Sequence, residues 1–239
     1  MADFKDRVVV VTGAAGALGG AIADAFLAAG ARLVLPDFAG DRLVARFAAL
    51  RGKPDHVLAP GADLTDAIGV TRLIDDAAAK LGGIDIVVNT VGGFRGGQPL
   101  HESSLADWDV MLQMNLRPTV LVCRAAIPHL LRRGQGGRIV NIGARPGASG
   151  VGGLSAYGAS KAAVIRLTES LSEELKEKGI TANSVLPSTI DTPDNRAAMP
   201  DADPARWVAP DAVADVVLFL ASHGGRAVSG AAIPVYGLA

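Results

Sequence analysis

The stretch VVVVTGAAGALGGAIADAF, Val8 to Phe26, decides how this chain folds. Four consecutive valines make a strand apolar on both faces, which suits the interior of a sheet that helices cover on each side. A helical stretch follows around Ala21 to Ala29. Between them, Gly13, Gly16 and Gly19 permit a positive φ and close backbone approach, and they direct helix amides at a pyrophosphate. A glycine trio alone could be only a tight turn. The strand before it and the helix after it favour a dinucleotide site, with Leu18 inside the same turn.

The pattern repeats downstream. RLVL (Arg32 to Leu35), HVLAP, DIVVNT, RIVNI and TANSVLP are short apolar runs with helical segments between them. This alternation predicts an α/β fold, a doubly wound parallel sheet in a Rossmann-like three-layer sandwich with right-handed connections. Asp37 closes the second strand, where a carboxylate accepts hydrogen bonds from both ribose hydroxyls of an adenosine and repels an added phosphate. NAD is therefore preferred to NADP, although Arg32 or Arg42 in a rearranged loop could pair with phosphate.

At 239 residues, with no long linker, one domain spanning 1–239 is expected. Lys and Arg total 23 against 24 Asp and Glu, a formal charge of -1, which gives no electrostatic reason to expect nucleic acid or an anionic membrane as partner. The single Cys123 excludes an intramolecular disulfide and any multi-cysteine metal site; in VLVCRAA it reads as a small buried apolar side chain. His101 and His129 are isolated and suggest no metal centre. No run approaches the roughly 20 apolar residues of a membrane span, and the N-terminus lacks a signal-peptide pattern, so a soluble cytoplasmic protein is expected.

Asp107 to Arg133 reads as one long helix kinked near Pro118, which leaves a carbonyl near Met114 free. Ser188 to Val208, with Pro193, Pro200 and Pro204, has no stable period and reads as a surface excursion of the kind that covers substrates.

The stretch NIGARPGASGVGGLSAYGASK, Asn141 to Lys161, carries the candidate chemistry. A helical pattern from Ser155 to Lys178 puts Tyr157 and Lys161 one turn apart on one face. An ammonium there favours phenolate over phenol and lowers the tyrosine pKa toward a value useful for proton exchange with a hydroxyl or carbonyl. The pair is weak evidence alone and gains force from the nucleotide turn upstream.

Together these segments resemble the short-chain dehydrogenase/reductase family. TGAAGALG at Thr12 to Gly19 matches TGxxxGxG, and YGASK at Tyr157 to Lys161 matches YxxSK. ADL at Ala62 to Leu64, MNL at Met114 to Leu116, RIVNI and SGAAIPVYG add to the match in order. The resemblance implies seven strands and assigns catalytic roles to Tyr157, Lys161 and Asn115, with Asn115 organising a water relay. It places Gly13, Gly16, Leu18, Gly19, Asp37, Asp63, Leu64, Asn89, Lys161 and Thr192 around NAD. Asp63 would contact adenine, Asn89 of NTVG would flank the adenosine ribose, Lys161 would hold the nicotinamide ribose, and Thr192 would reach the nicotinamide amide or pyrophosphate. NTVG departs from the family's NNAG at Thr90 and Val91 and keeps Gly92; Ser188 replaces a glycine. Homodimers or homotetramers are implied, although the same apolar helical faces could complete the domain's own core.

One departure bears on chemistry. The family's serine, thirteen residues before the tyrosine, is Ala144 here, and losing such a hydrogen bond removes roughly 3 kcal/mol of transition-state stabilisation. Ser149 or Ser155 could turn inward, Arg145 could contact a carboxylate or polar substrate, or a conjugated substrate could supply its own polarisation. Phe94, Arg95, Gln98, Leu154 and Asp194 to Trp207 are further candidates for the substrate's surroundings. The expected function is hydride transfer between NAD(H) and a small carbonyl or alcohol. The alternatives are reduction of a conjugated C=N or pterin-like substrate, and a non-catalytic NAD-binding sensor or structural subunit.

Overall fold

A computed structural model describes residues 4–134 and 136–238. Seven parallel strands form one sheet: β1 (Val8–Val11), β2 (Arg32–Asp37), β3 (Val57–Pro60), β4 (Ile86–Asn89), β5 (Arg138–Ile142), β6 (Thr181–Pro187) and β7 (Ala232–Val235). Their order is β3-β2-β1-β4-β5-β6-β7. The register pairs Val10 with Val34 on one side and with Val87 on the other. The strand order reverses between β1 and β4, and that reversal opens a crevice at the carboxyl ends of the strands.

The helices are α1 (Ala17–Ala28), α2 (Gly40–Arg46), α3 (Ala67–Leu81), α4 (Leu105–Asn115), α5 (Arg117–Arg133), α6 (Arg145–Ala148), α7 (Ser155–Leu175), α8 (Pro193–Ala198) and α9 (Pro210–Ala221). Side chains alternate faces along a strand, so the valine run must serve two cores. Val9 and Val11 join Ile22 and Phe26 of α1 and Val217 of α9 on one face. Val8 and Val10 join Ile74 of α3, Val122 of α5 and Leu171 of α7 on the other. Phe26 is fully buried and meets Phe4 edge-on, with ring centroids 4.8 Å apart. Truncating it to alanine costs about 3–5 kcal/mol.

Two expectations need correction. The stretch from Asp107 to Arg133 is two helices broken at Leu116, because Pro118 lacks the amide that would bond to the Met114 carbonyl and its ring crowds that turn. Pro118 instead sits in the first turn of α5, where no intrahelical amide is needed. Residues 188–208 are not featureless either. Thr192 caps α8 and Pro193 opens it, an Asp191–Arg196 ion pair braces it, and a bridge joins Ile190 to Val208.

Among the described residues, no helix is long and apolar enough to cross a membrane, and no cluster of His, Cys, Asp or Glu could hold a metal ion.

Candidate active site

The glycine turn lies between β1 and α1. Gly13 has φ +67°, and a Cβ on Gly19 would lie 2.3 Å from the Gly13 carbonyl oxygen, so a side chain at Gly19 would break the turn. Gly16 is the N-cap of α1 and offers no side-chain cap, which leaves the first amides of that helix, including Leu18, directed out of its positive end. Thr12 and Thr90 lock the turn to β4: Thr90 N donates to Thr12 Oγ1 at 3.0 Å, and Thr90 Oγ1 donates to the Thr12 carbonyl. The Thr90 substitution in the family tetrad thus has a structural use.

Asp37, at the end of β2, is buried, and its carboxylate accepts from Ala15 N at 2.8 Å and from Ala39 N at 2.7 Å. Each oxygen retains acceptor capacity for a ribose hydroxyl, whereas a phosphate would meet a fixed negative charge. Arg32 cannot soften that charge. It lies at the opposite end of β2, where Nη1 donates to the Leu81 carbonyl and Nε faces Asp55. Ala62 N donates to the Asp37 carbonyl, bringing the segment of Asp63 and Leu64 beside Asp37. Asp63 is exposed, and hydrogen bonds from Thr65 hold its carboxyl below the usual carboxylate range.

The side chain of Asn89 turns away from this edge. It is buried, with Nδ2 donating to Asn141 Oδ1 at 2.8 Å beside Cys123, while Asn141 Nδ2 donates to Thr168. This polar ladder ties β4, β5 and α7 together, and only the Asn89 backbone faces the crevice end of β4. Burial pushes the Cys123 thiol up to about 12, consistent with an inert core residue. Thr192 Oγ1 caps α8 by accepting from Asn195 N at 3.2 Å, which leaves its hydroxyl proton free to donate.

Tyr157 and Lys161 lie one turn apart on α7, as their spacing predicts. Lys161 is buried, and Nζ donates to the Ile142 carbonyl at 3.1 Å. A Cβ on Gly92 would lie 2.9 Å from Lys161 Nζ and 2.8 Å from Asn115 Oδ1, so the bare glycine lets both groups converge at the end of β4. Asn115 is completely buried at the α4 end; Gly93 N donates to its Oδ1, and its Nδ2 donates to Ser160 Oγ. Ser160 in turn donates to the Tyr157 carbonyl at 2.7 Å. Ser160 of YGASK thus links Asn115 to the Tyr157 backbone, a role that its sequence position alone does not reveal.

The pKa directions differ from the expected ammonium effect. Burial raises the Tyr157 phenol to about 12 and lowers the Lys161 ammonium to about 8. Desolvation causes both shifts, and the single carbonyl bonded to the Lys161 ammonium does not offset it. The half-buried Tyr157 meets Phe94 edge-on, with centroids 5.1 Å apart.

The Ala144 side chain is buried at the end of β5. Ser149 is exposed, and Ser155 lies only two helical positions before Tyr157, a separation that sends side chains to different faces. Ser155 thus belongs to α7 and not to the glycine-rich loop.

Glycine turn, crevice and Tyr–Lys–Asn convergence define the class: a dinucleotide-dependent oxidoreductase. The chain belongs to the short chain dehydrogenase family, whose model matches residues 7–203. It is 37% identical over 243 residues to the cis-4-hydroxycyclohexanecarboxylate dehydrogenase of Sinomonas cyclohexanicum, covering 98% of this chain and 96% of that protein. It is 33% identical over 246 residues to the D-threitol dehydrogenase of Mycolicibacterium smegmatis, covering 98% and 94%. The carveol dehydrogenase of Mycobacterium avium, solved in complex with NAD, superimposes with a TM-score of 0.89 at 26% identity, covering 99% of this chain and 98% of that one. The protein is a dinucleotide-dependent oxidoreductase of that family.

Proposed function

We propose that Tyr157 carries the proton, Lys161 stabilises its phenolate, and Asn115 holds the pair in place, while hydride moves between NAD(H) and the carbon of a small secondary alcohol or ketone. The observation that carries this reading is the convergence of Lys161 Nζ and Asn115 Oδ1 on the bare backbone of Gly92, one helical turn from Tyr157. The cradle fits the cofactor: Gly13, Gly16, Leu18 and Gly19 take the pyrophosphate, Asp37 and the Asn89 backbone the adenosine ribose, Asp63 and Leu64 the adenine, and Lys161 and Thr192 the nicotinamide end. When bound, NAD supplies a hydride acceptor, and NADH a hydride donor, at nicotinamide C4.

In oxidation, the Tyr157 phenolate removes the hydroxyl proton as hydride leaves the adjacent carbon. In reduction, the phenol returns that proton to the forming alkoxide. Burial opposes both phenolate and ammonium, so the two charges relieve each other when they form together. The named substrates of the two relatives, a hydroxycyclohexanecarboxylate and threitol, are alcohols, which supports the alcohol/carbonyl reading. Replacing Tyr157 by Phe tests it: NAD binding should persist while turnover falls, and turnover equal to wild type would reject the assignment.

The second reading, reduction of a conjugated C=N or pterin-like substrate, is favoured by Ala144, which supplies no donor to a carbonyl oxygen. Activity confined to imines and dihydropterins would select it, and activity confined to ketones would remove it. The same proposal takes 1–239 as a single cytoplasmic domain in which 188–208 covers the substrate, assembled as a homodimer or homotetramer. Light scattering at working concentration checks the assembly, and a strictly monomeric particle counts against it.

A further inference from the structure

Arg145 follows the end of β5, Ser188 the end of β6 and Tyr236 the end of β7, so the three meet at the carboxyl edge of neighbouring strands. Ser188 Oγ donates to the Tyr236 carbonyl at 2.7 Å, fixing the backbone that bears the Tyr236 ring. The Arg145 guanidinium lies over that ring, 5.2 Å from its centroid. A stacked guanidinium gives one face to the ring, while its five N–H donors point outward in its own plane and stay available for a two-pronged contact.

Two other arginines among the candidates for the substrate's surroundings are already committed. Arg95 pairs with Asp107 at 2.9 Å, and Arg196 makes two bonds to Asp191. Arg145, among the described residues, has no carboxylate within ion-pair distance, and it is exposed. It is also joined to the reactive helix. The short helix it opens packs on α7 so closely that a Cβ on Gly158 would lie 2.9 Å from the Pro146 carbonyl oxygen, and one on Gly147 would lie 2.8 Å from the Lys161 backbone. The backbone that carries Arg145 is thus anchored to the reactive helix directly after Ala144, while the guanidinium lies over Tyr236. On the other side, Phe94 abuts Tyr157, and Leu154 fills the space beside Gly96.

We propose that the substrate is a hydroxycarboxylate, or the matching ketocarboxylate, whose carboxylate is held bidentately by Arg145 while its apolar body rests toward Phe94 and Leu154. The inference rests on the hydride-transfer reading and deepens it by naming the substrate class. In oxidation, the carbinol carbon gives its hydride to NAD, the hydroxyl proton passes to Tyr157, and the products are a ketocarboxylate and NADH; the carboxylate itself is unchanged. Its role is orientation: binding at a remote charged group fixes the reacting carbon where the missing hydroxyl no longer does.

The test pairs 3-hydroxybutyrate and 3-hydroxy-3-phenylpropanoate with their primary carboxamides, assayed with NAD on wild type, Arg145→Gln and Arg145→Lys. A charge-assisted contact predicts an acid-to-amide ratio of kcat/KM of roughly 10- to 100-fold in wild type. The ratio should fall toward one in Arg145→Gln and recover in part in Arg145→Lys, with the change in KM for the acids exceeding that in kcat. A wild-type ratio near one, or a ratio unmoved by Arg145→Gln, overturns the proposal while leaving hydride transfer intact. If none of the four compounds turns over, titration calorimetry with 3-phenylpropanoate and 3-phenylpropanamide on the NAD-loaded protein reads the same contact. Selective binding of the acid, lost in Arg145→Gln, supports the anion site and places the failure in the chemistry; equal binding of acid and amide overturns the site.

Discussion

Asp85, just before β4 at the amino end of the sheet, and Lys161, at the carboxyl end, are both buried charged side chains, and the fold treats them oppositely. Asp85 is surrounded by donors: Val8 N at 2.8 Å, Arg133 Nε at 2.9 Å and Arg7 Nε at 3.6 Å. Lys161 has the Ile142 carbonyl and no carboxylate partner among the described residues. The first charge is neutralised and closes the amino end of the sheet. The second is left uncompensated at the carboxyl end, and burial draws its pKa down to about 8. Stable folding does not need such a lysine, whereas the proposed proton transfer through a Tyr157 phenolate does. The contrast separates a structural ion cluster from a group kept in an unfavourable setting for chemistry.

The largest expected effect is on the reactive side. Tyr157→Phe should reduce NAD-dependent turnover by about 10³-fold, within the usual span for removing a general acid or base, with NAD affinity preserved in a fluorescence titration. Loss of NAD binding in that variant would recast Tyr157 as a packing residue. On the structural side, Asp85→Asn should lower unfolding free energy by about 3 kcal/mol in urea, since it removes the charge that pairs Arg133 and turns an amide toward one of the two donors, while turnover of the remaining folded protein stays near wild type. A stability change below about 0.5 kcal/mol, the range of an ordinary surface substitution, would remove the contrast. The smallest effect is expected from Ala144→Ser, which returns a hydroxyl to the end of β5 and should raise kcat on uncharged secondary alcohols by about tenfold, part of what one such donor supplies. An unchanged kcat would mean that another group already polarises the oxygen.

Sequence made much of this readable because the relevant physics is local. Val8 to Val11 is apolar at every position, so both faces had to be covered, and the glycines of Gly13 to Gly19 permit the tight turn that joins that strand to a helix. The one-turn spacing of Tyr157 and Lys161 needed only the helical period. What escaped depended on three-dimensional partners. Asn89 carries the same letter whether its amide faces a ribose or Asn141, and only the sheet register, which pairs those two residues, decides it. The burial that moves Tyr157 and Lys161 in opposite directions is likewise invisible in YGASK, because it is made by residues distant in sequence. Arg32 illustrates the same point: its position on β2 was legible, but not the end of the strand from which its side chain leaves.

The uncompensated charge of Lys161 is tested most directly by Lys161→Met, followed by urea unfolding from pH 7 to pH 10.5. The folded pKa of about 8 lies below the ordinary value of 10.5, so the unfolded chain binds more protons between them and stability rises with pH across that window. Below pH 8 the wild type therefore carries a cost of about 3 kcal/mol that methionine does not. The account predicts that Lys161→Met is more stable than wild type by about that amount at pH 7, that the difference shrinks by a similar amount as the pH approaches 10.5, and that turnover is lost. A variant no more stable than wild type at pH 7, with a difference independent of pH, would contradict it.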